Sequence, residues 1–483
     1  MNLSMKKDWK KSAFDGLLIP MFEEELAFEG LEVPFEQLME TKRFEGKVGS
    51  HYTITKLQDG LFVNIVLLGL GKRGEIGYRK LLNVLGDGFR TLKKQKVKKG
   101  ALVFDRGNLA SNDTYVKAAV EASIMADYLF DDFKSKQEGE ESEELDFSIL
   151  VEDPDQYVHV FEEAEILATA NLVARDLVNQ PANVINSVTL AQRVEELGKE
   201  NGFEVEIKEL EEIQALQMEA FLSVARASDI EPRLIIMRYM GDPASDEILG
   251  YVGKGLTYDA GGLSIKPTAS MVTMKDDMGG SAAVIGAMCA IAEAKLKRNV
   301  VAVVAACENM ISGSSYRPGD IIGSMGGKSI FIGNTDAEGR LTLIDAMHYI
   351  VNEEKVTKVL DIATLTGAAL HCTGSAASVA IATDDQFFAD VNESFSLSGE
   401  QIWRMPIFDE YKELIKHEEA DLTNTAGKPG TITAGLFIGE FNGGLPWVHI
   451  DIAGTIWSTK EEGILSKGGT GIAVRPLYYL AKA

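Results

Sequence analysis

The sequence predicts an α/β protein with a smaller N-terminal α/β domain at residues 1–160 and a larger C-terminal α/β domain at residues 161–483. The chain has 483 residues, which is too long for one ordinary hydrophobic core. Apolar runs of strand length alternate with helix-length segments. This alternation is typical of a mostly parallel sheet covered by helices on both faces. A single charged stretch interrupts the alternation near the end of the first third of the chain.

The N-terminal domain shows this alternation. The apolar run FVNIVLLGL at residues 62–70 predicts a strand, and apolar residues at helical spacing predict a helix over 78–92. A second strand is predicted at 101–104, a second helix at 115–130, and a third strand at 148–151. These elements together predict one α/β unit.

The charged stretch KSKQEGEESEE, at residues 134–144, has too few apolar residues to pack and predicts an exposed loop, with an acidic interaction segment as the alternative. A helical pattern then runs over 160–178, and we place the domain boundary close to its start. Beyond it, strands are predicted near Glu204, Arg233, Glu247, Asn299, Lys358 and Pro446. They form the predicted mixed, mostly parallel sheet of the C-terminal domain.

Composition and charge exclude several classes of protein. Hydrophobic residues make up 45% and charged residues 25% of the chain, which is typical of a globular protein. The 48 Lys and Arg residues are outnumbered by 73 Asp and Glu residues, so the net charge of -25 repels nucleic acid and anionic membranes. The longest apolar run, 300–307, is far shorter than the ~20 residues that cross a bilayer.

The cysteines and the N-terminus predict a cytoplasmic protein. Cys289, Cys307 and Cys372 lie among apolar or small residues without metal-ligand spacing, and we expect them to be reduced and buried. The first residues lack the continuous apolar segment and the cleavage site of a secretory signal.

The chemically informative part of the chain begins at YVGKGLTYDAGGLSIKP. A strand predicted to end near Val252 delivers Lys254, and Asp259 and Lys266 follow on glycine-rich backbone. Asp277 precedes a Gly-Gly pair at the start of a helix of small residues. Because sites in open α/β sheets form beyond the carboxyl ends of strands, we expect these side chains to share one site.

The motif NTDAEGRL adds Asp336, Glu338 and Arg340 at alternate positions, which share one face if the segment is extended, just before a helix from about Leu341. Four carboxylates in one fold unit would repel one another unless cations join them. Carboxylate oxygens suit divalent Zn, Mn or Mg, and carboxylates that can bridge favour a pair of ions. All six histidines lie outside these motifs, so a histidine-rich zinc site is not expected.

Each of these residues taken alone has a simpler interpretation. A single DxE motif or a single lysine is usually a solvated surface feature. The glycines around them, Gly253, Gly255, Gly261 and Gly262, favour a site instead, because glycine permits unusual backbone angles and close approach of the chain to other groups.

With these residues, the chain resembles the leucyl aminopeptidase (cytosol aminopeptidase) family of metallopeptidases over nearly all of its length. NTDAEGRL matches the family signature, and ENMISGSSYRPGD, DIATLTGA, ADLTN and HIDIAGT are also similar. The resemblance implies that the metal ligands are Lys254, Asp259, Asp277, Asp336 and Glu338. It implies that the two catalytic residues are Lys266 and Arg340.

The resemblance also implies a mechanism. Asp259 and Glu338 would bridge two divalent ions, Mn or Zn with Mg or Co as alternatives, and a water between the ions would attack the scissile carbonyl. Lys254 would bind as a neutral amine, which requires a pKa lowered by the two cations. Lys266 would stabilise the oxyanion, and a bicarbonate held by Arg340 would carry the proton. A salt bridge that balances the carboxylates is the alternative role of Arg340.

Substrate and assembly are likewise implied by the resemblance. The expected activity is removal of N-terminal leucine, or another mostly apolar residue, from peptides with a free α-amino group. Met274, Thr364 and Leu365 match positions near the substrate, and Met274 would line the side-chain pocket, with plain core as the alternative for each. The expected assembly is a homohexamer whose sites face an inner cavity.

Departures from the family pattern lie outside these site residues. Glu219, Ala227 and Ser187 stand where other residues are usual, which affects the expected loop geometry rather than the chemistry.

Two other functions compete with this one. Gly69, Gly71 and Gly74 form a GxGxxG after a predicted strand, as in dinucleotide-binding folds, but Lys94 stands where an acidic residue is expected. The non-enzymatic alternative is a metal-stabilised scaffold or a DNA-binding regulator. The acidic charge argues against DNA binding, and the complete set of site residues argues against a scaffold.

Overall fold

The computed structural model describes residues 1–7, 14–24, 26, 33–58, 60–103, 113–135 and 145–483. Its contacts group the chain into two compact units, Met1–Thr169 with Thr459–Lys467, and Ala170–Ser458 with Gly468–Ala483. The division of domains at residues 160 and 161 stays a prediction. Residues 136–144, most of the predicted charged loop, lie outside the described residues.

The first unit is built on a sheet whose described strands are β1 (Asn2–Lys6), β2 (Gly16–Phe22), β3 (His51–Gln58), β4 (Leu61–Gly71), β5 (Lys99–Val103) and β6 (Asp146–Leu150). Its described helices are α1 (Phe35–Glu40), α2 (Tyr78–Lys94) and α3 (Asp113–Asp127). A 3₁₀ turn at Pro154–Tyr157 leads into α4 (Val158–Asn179), which continues into the second unit. The strand order is β1-β6-β5-β2-β4-β3, with β3 antiparallel to β4 and the other described pairs parallel.

Two of the three glycines of the GxGxxG motif, Gly69 and Gly71, pack against the unit's own chain, whereas nothing lies within 4 Å of a Cβ at Gly74. A Cβ on Gly69 would lie 2.1 Å from the Lys47 carbonyl oxygen, and one on Gly71 would lie 2.4 Å from a methyl carbon of Val48. The Gly69 amide donates to the Ser50 carbonyl over 2.8 Å. Gly69 and Gly71 therefore allow this segment to pack closely against the chain around Lys47 and Val48.

The second unit contains the larger sheet. Its described strands are β7 (Glu204–Lys208), β8 (Arg233–Met240), β9 (Ile248–Asp259), β10 (Asn299–Asn309), β11 (Ile321–Ile322), β12 (Ile330–Phe331), β13 (Lys358–Ala363), β14 (Ser378–Ala382), β15 (Ile402–Arg404), β16 (Leu422–Thr423), β17 (Trp447–Asp451), β18 (Trp457–Ser458) and β19 (Gly468–Gly469). Its helices are α5 (Ser187–Asn201), α6 (Leu210–Ala215), α7 (Glu219–Ala225), α8 (Thr268–Met271), α9 (Gly279–Glu293), α10 (Gly339–Asn352), α11 (Gly367–Thr373), α12 (Asp385–Ser398), α13 (Asp409–Glu413), α14 (Gly430–Gly439) and α15 (Val474–Lys482), with a 3₁₀ turn at Met274–Met278.

The main sheet has the order β15-β14-β17-β13-β9-β10-β8-β7. Its centre, from β17 through β13 and β9 to β10, is parallel, while β8 and β7 on one side and the β14–β17 pair on the other are antiparallel. The predicted α/β fold with a mixed, mostly parallel sheet is confirmed. Smaller sheets join β11, β12 and β16, and β18 and β19.

The strand β9 is longer than predicted. The expected end near Val252 is wrong, because the strand continues to Asp259 and Lys254 lies in its interior. Gly253 is in the strand because α9 crosses it closely, and a Cβ there would lie 2.8 Å from Ser281 Cα. Gly253 therefore lets the strand β9 continue where the helix α9 packs closely on it, and it does not mark the end of the strand.

Two further findings bear on expectations from the sequence. The three cysteines are free, and Cys289 and Cys307 are buried, but the prediction for Cys372 is wrong, because it is exposed on the short helix α11. No helix in the described ranges has the length and apolar character needed to span a bilayer.

Candidate metal centre

The strand β9 carries two of the predicted site residues. Lys254 has only 3% of its side chain exposed, and Asp259 is the last residue of the strand. Asp259 pairs in register with Asn309, the last residue of β10. Asn309 Nδ2 and the amide of Gly261 each donate to Asp259 Oδ1 over 2.8 Å. These two donors fix the carboxylate at the carboxyl ends of two parallel strands.

Asp277 lies in the 3₁₀ turn that precedes α9. Lys254 Nζ is 2.7 Å from Asp277 Oδ1, and the Thr364 hydroxyl donates to the same oxygen over 2.8 Å. Lys254 Nζ also donates to the Thr364 carbonyl over 3.0 Å. The carboxylate is thereby held between β9 and the loop that follows β13.

Asp336 and Glu338 precede α10, but the segment is not extended as predicted. Glu338 has φ -80 and ψ -37, the helix begins at Gly339, and Arg340 lies in its first turn. The Leu341 amide closes this turn by donating to the Glu338 carbonyl over 2.9 Å. The expectation of alternate residues on one extended face is therefore wrong.

Five of these residues converge nonetheless. Asp259, Asp336 and Glu338 each offer an oxygen within 4.8 Å of the other two. Glu338 Oε1 lies 3.0 Å from Lys254 Nζ. Lys266 Nζ lies 2.8 Å from Asp259 Oδ2 and 2.5 Å from Asp336 Oδ1. The two lysines thus stand among the carboxylates as counter-charges.

Burial and these lysines oppose each other in setting the pKa values. Burial, with the nearby charge of Glu338, raises the pKa of Asp259 to about 6, and burial raises the pKa of Asp277 well above its ordinary value. Burial acts in the same direction on Glu338, but the ammonium groups of Lys254 and Lys266 outweigh it and lower the pKa of Glu338. Burial alone would lower the pKa of Lys254, yet the neighbouring carboxylates raise it. Without metal, Lys254 is therefore an ammonium group.

The cluster fits divalent metal ions. Asp277 Oδ2 and Glu338 Oε2 are buried and have no hydrogen-bond donor among the described residues. A buried carboxylate oxygen without a donor is unfavourable, and a metal ion would remove the penalty. The donor set of four carboxylates and one lysine is rich in hard oxygen ligands.

A cavity of about 460 Å³ opens on the cluster. The predicted metal ligands line it together with the four residues expected near the substrate, which are Lys266, Met274, Thr364 and Leu365. Arg340 is not among its described lining residues. Its Nη1 donates to the Asn424 carbonyl over 2.9 Å, and burial lowers its pKa to about 10.

Three polar residues of the site were missed from the sequence. Asn309 orients Asp259 by donating a hydrogen bond to it. Its position two residues after the longest apolar run could have indicated that it lies at the end of a strand. Asp451 accepts from the Leu365 and Ala453 amides over 3.2 and 3.1 Å and so joins two loops of the cavity. Asp276 lines the cavity beside Asp277. The doubled aspartate in MKDDM was the signal for it.

A carboxylate and lysine centre at the carboxyl ends of parallel strands is a site of the kind found in metal-dependent hydrolases. Residues 172–478 match the family model described as "Cytosol aminopeptidase family, catalytic domain", and residues 23–137 match "Cytosol aminopeptidase family, N-terminal domain". The chain belongs to the cytosol aminopeptidase family. It is therefore a metal-dependent aminopeptidase, and dinucleotide binding and a purely structural role are set aside.

Similar proteins cover the whole chain. A protein of Clostridium perfringens (strain 13 / Type A) named "Probable cytosol aminopeptidase" is 46% identical over 491 residues, with 99% of each chain covered. One of the same name from Aquifex aeolicus (strain VF5) is 37% identical, with 99% of this chain and 98% of that protein covered. The solved structure of "Bottromycin maturation enzyme BotP in complex with Mn" has a TM-score of 0.85 at 28% identity, covering 97% of this chain and 99% of that one.

Proposed function

We propose that this chain removes the N-terminal residue, leucine or another mostly apolar residue, from peptides that carry a free α-amino group. The observation that carries this proposal is that one cavity of about 460 Å³ holds both the carboxylate and lysine cluster and the apolar side chains of Met274, Leu365 and Leu370. The cluster suits metal ions and the polar end of a peptide. The apolar walls suit an apolar side chain.

Two divalent ions would fill the cluster, Mn or Zn, with Mg or Co as alternatives. Asp259 and Glu338 would be shared between them, Lys254 and Asp277 would complete one position, and Asp336 would complete the other. When bound, such a pair would lower the pKa of a bridging water and polarise the scissile carbonyl. The Mn in the similar BotP structure supports this choice of ion.

Lys254 would change its protonation state when the site is loaded. A lysine binds metal only as a neutral amine, and here its ammonium group is paired with Asp277 and Glu338. Loading therefore requires a proton to leave Lys254 Nζ for solvent, after which Asp277 and Glu338 are free to serve as ligands.

Lys266 would keep its proton. Its side chain is 16% exposed and pairs with Asp259 and Asp336. Once cations neutralise these two carboxylates, the ammonium group of Lys266 is available to the cavity that it lines. It would donate to the carbonyl oxygen as negative charge develops there.

Arg340 would hold a bicarbonate, which would supply a proton acceptor and donor for the hydrolysis. The alternative is a salt bridge that balances the carboxylates. Arg340 Nε is buried without a partner among the described residues, while Nη1 donates to the Asn424 carbonyl. A guanidinium with an unused donor supports a site for a planar anion, which it binds through two parallel N–H groups.

The partners would be peptides, and the assembly would be a cytoplasmic homohexamer with its sites facing an inner cavity. Membranes and nucleic acid would not be partners. The net charge of -25 supports both exclusions. A light-scattering mass of six times the chain mass of 52.6 kDa would agree with this assembly, and a monomer mass would contradict it.

The activity test compares a leucyl peptide with its N-acetylated counterpart, with added Mn or Zn and again after chelation. We expect release of leucine from the free peptide alone, loss of activity on chelation, and recovery with fresh metal. Equal cleavage of the two peptides, or activity indifferent to the chelator, would contradict the proposed function.

A further inference from the structure

We infer that the carboxylate of Asp276 recognises a cationic side chain on the N-terminal residue of the substrate. The cavity would then favour a long basic side chain, as in lysine or arginine, over an uncharged chain of equal length. The inference rests on the proposed function, because it assigns a second class of substrate to the same cavity.

Asp276 lies in the sequence between Met274, which lines the cavity, and Asp277, which belongs to the metal cluster. It lies in the 3₁₀ turn Met274–Met278, two residues after Met274 and directly before Asp277. It lines the cavity, yet only 9% of its surface is exposed. A partner for this carboxylate must therefore come through the cavity.

The Asp276 carboxylate has no ion-pair partner within the described part of the chain, although its own backbone amide and the more distant ammonium groups of Lys254, Lys266 and Lys275 act on it. Lys254 and Lys266, the two lysines that line the cavity, are each ion-paired with two carboxylates of the metal cluster. The neighbouring Lys275 donates its ammonium proton to the Asn179 carbonyl over 2.5 Å. A largely buried carboxylate without an ion-pair partner is unfavourable, and such groups occur where a ligand supplies the opposite charge.

The other walls of the cavity match the rest of a basic side chain. Met274, Leu365, Leu370 and Ile456 are apolar and line the same space. Lysine and arginine carry three or four methylene groups that pack against apolar surface while the charged end reaches a polar partner. Leucine would use the apolar walls alone and would bring no opposite charge to Asp276.

Asp276 is also separate from the ion-binding group. The three carboxylates whose oxygens lie within 4.8 Å of one another are Asp259, Asp336 and Glu338. Asp276 and the proposed ligand Asp277 both lie outside this group, but Asp277 joins it through Lys254 Nζ, 2.7 Å from Asp277 Oδ1. No such ion pair joins Asp276 to the cluster among the described residues, so a substrate cation is a better occupant there than a further metal ion.

The test uses lysine and norleucine, whose side chains share the same four-carbon stem and differ in the terminal ammonium group. The ratio of kcat/KM for lysyl over norleucyl peptides is measured in the wild type, in Asp276→Asn and in Asp409→Asn, whose carboxylate is 94% exposed on α13. We expect Asp276→Asn to lower this ratio by about tenfold or more, the effect of one lost charge interaction of ordinary size. The Asp409→Asn ratio should equal that of the wild type.

Two further readouts separate the possible outcomes. Calorimetry with free lysine and norleucine should show that Asp276→Asn weakens lysine binding more than norleucine binding. An unaltered kcat/KM ratio, or a loss of bound metal in Asp276→Asn, would overturn the inference while the proposed function stands. Failure of the wild type to cleave either peptide would instead overturn the proposed function.

Discussion

Gly339 leaves the space through which the Lys254 side chain reaches the carboxylates. A Cβ at position 339 would lie 2.3 Å from Lys254 Cε and 2.8 Å from its Nζ. Glycine, the first residue of α10, is a weaker helix former than alanine. The glycine in AEGRL therefore lowers the helix propensity at the start of α10, but it makes room for Lys254, the proposed metal ligand from β9.

Gly339→Ala should weaken the metal centre although alanine favours the helix. We expect the affinity for Mn or Zn to fall about 10- to 100-fold, as when groups that orient metal ligands are removed. Titrating activity with metal measures the effect. Gly77→Ala is the control, because nothing lies within 4 Å of a Cβ at this position, which precedes α2. Wild-type metal affinity in Gly339→Ala would contradict this prediction.

Glu338→Ala should abolish turnover, a loss of at least about a hundredfold in kcat, because a carboxylate shared by both proposed ions is lost. The fold should remain largely intact, since Glu338 Oε2 has no hydrogen-bond donor among the described residues. Circular dichroism and kcat measure the two effects. Glu353→Ala, at the exposed end of α10, should keep wild-type activity, and equal activity of the two variants would refute the role of Glu338.

Metal loading should release a proton from Lys254. Its pKa is raised in the metal-free protein, because the carboxylates of Asp277 and Glu338 outweigh the effect of burial. The affinity for metal should therefore rise with pH, by about tenfold per pH unit for this proton. Calorimetry in buffers of different ionisation enthalpy counts the protons released. Lys254→Met should release one proton fewer, and an equal count in both proteins would contradict the prediction.

The sequence predicted the residue types of this site better than it predicted their geometry. The composition of the motifs identified the carboxylates and lysines, since residue types carry the ligand chemistry. Their geometry was harder to predict, because Gly253 resembles the end of a strand until α9 is seen to pack on it. Likewise Asp336 and Glu338 converge through a turn and a helix start, and alternate spacing alone favoured an extended segment.

Other features depend on contacts distant in the sequence. The segment Thr459–Lys467 belongs to the first compact unit although it follows the last long strand of the second. Asp451 accepts hydrogen bonds from the amides of Leu365 and Ala453. Leu365 is 86 positions away in the sequence, so this contact joins distant parts of the chain. The sequence near Asp451 does not indicate that it contacts Leu365.

The stability of the protein should depend on Asp345. This buried residue of α10 accepts the amides of Phe221 and Met325 over 2.9 and 2.8 Å, and burial raises its pKa to about 7. The pKa of Asp345 is higher in the folded protein than its unfolded value of about 3.9. The protonated carboxyl group therefore stabilises the folded state, and this contribution is fully present below about pH 3.9. This contribution is lost as pH rises through about 7.

Urea unfolding of metal-free protein at about pH 6 and about pH 8 isolates this effect. The wild type should lose more stability between the two pH values than Asp345→Asn, in which the group cannot ionise. The variant should be less stable at the lower pH, because its amide group cannot accept from both backbone donors. The same pH dependence in both proteins would contradict the assignment to Asp345.

The central claim is that five residues, Lys254, Asp259, Asp277, Asp336 and Glu338, hold two divalent ions. The most direct test counts the Mn ions retained per chain by the wild type after loading and removal of free metal. We predict two ions per chain, and loss of both in Glu338→Ala. Retention of one ion or none by the active wild-type enzyme would contradict the two-metal centre.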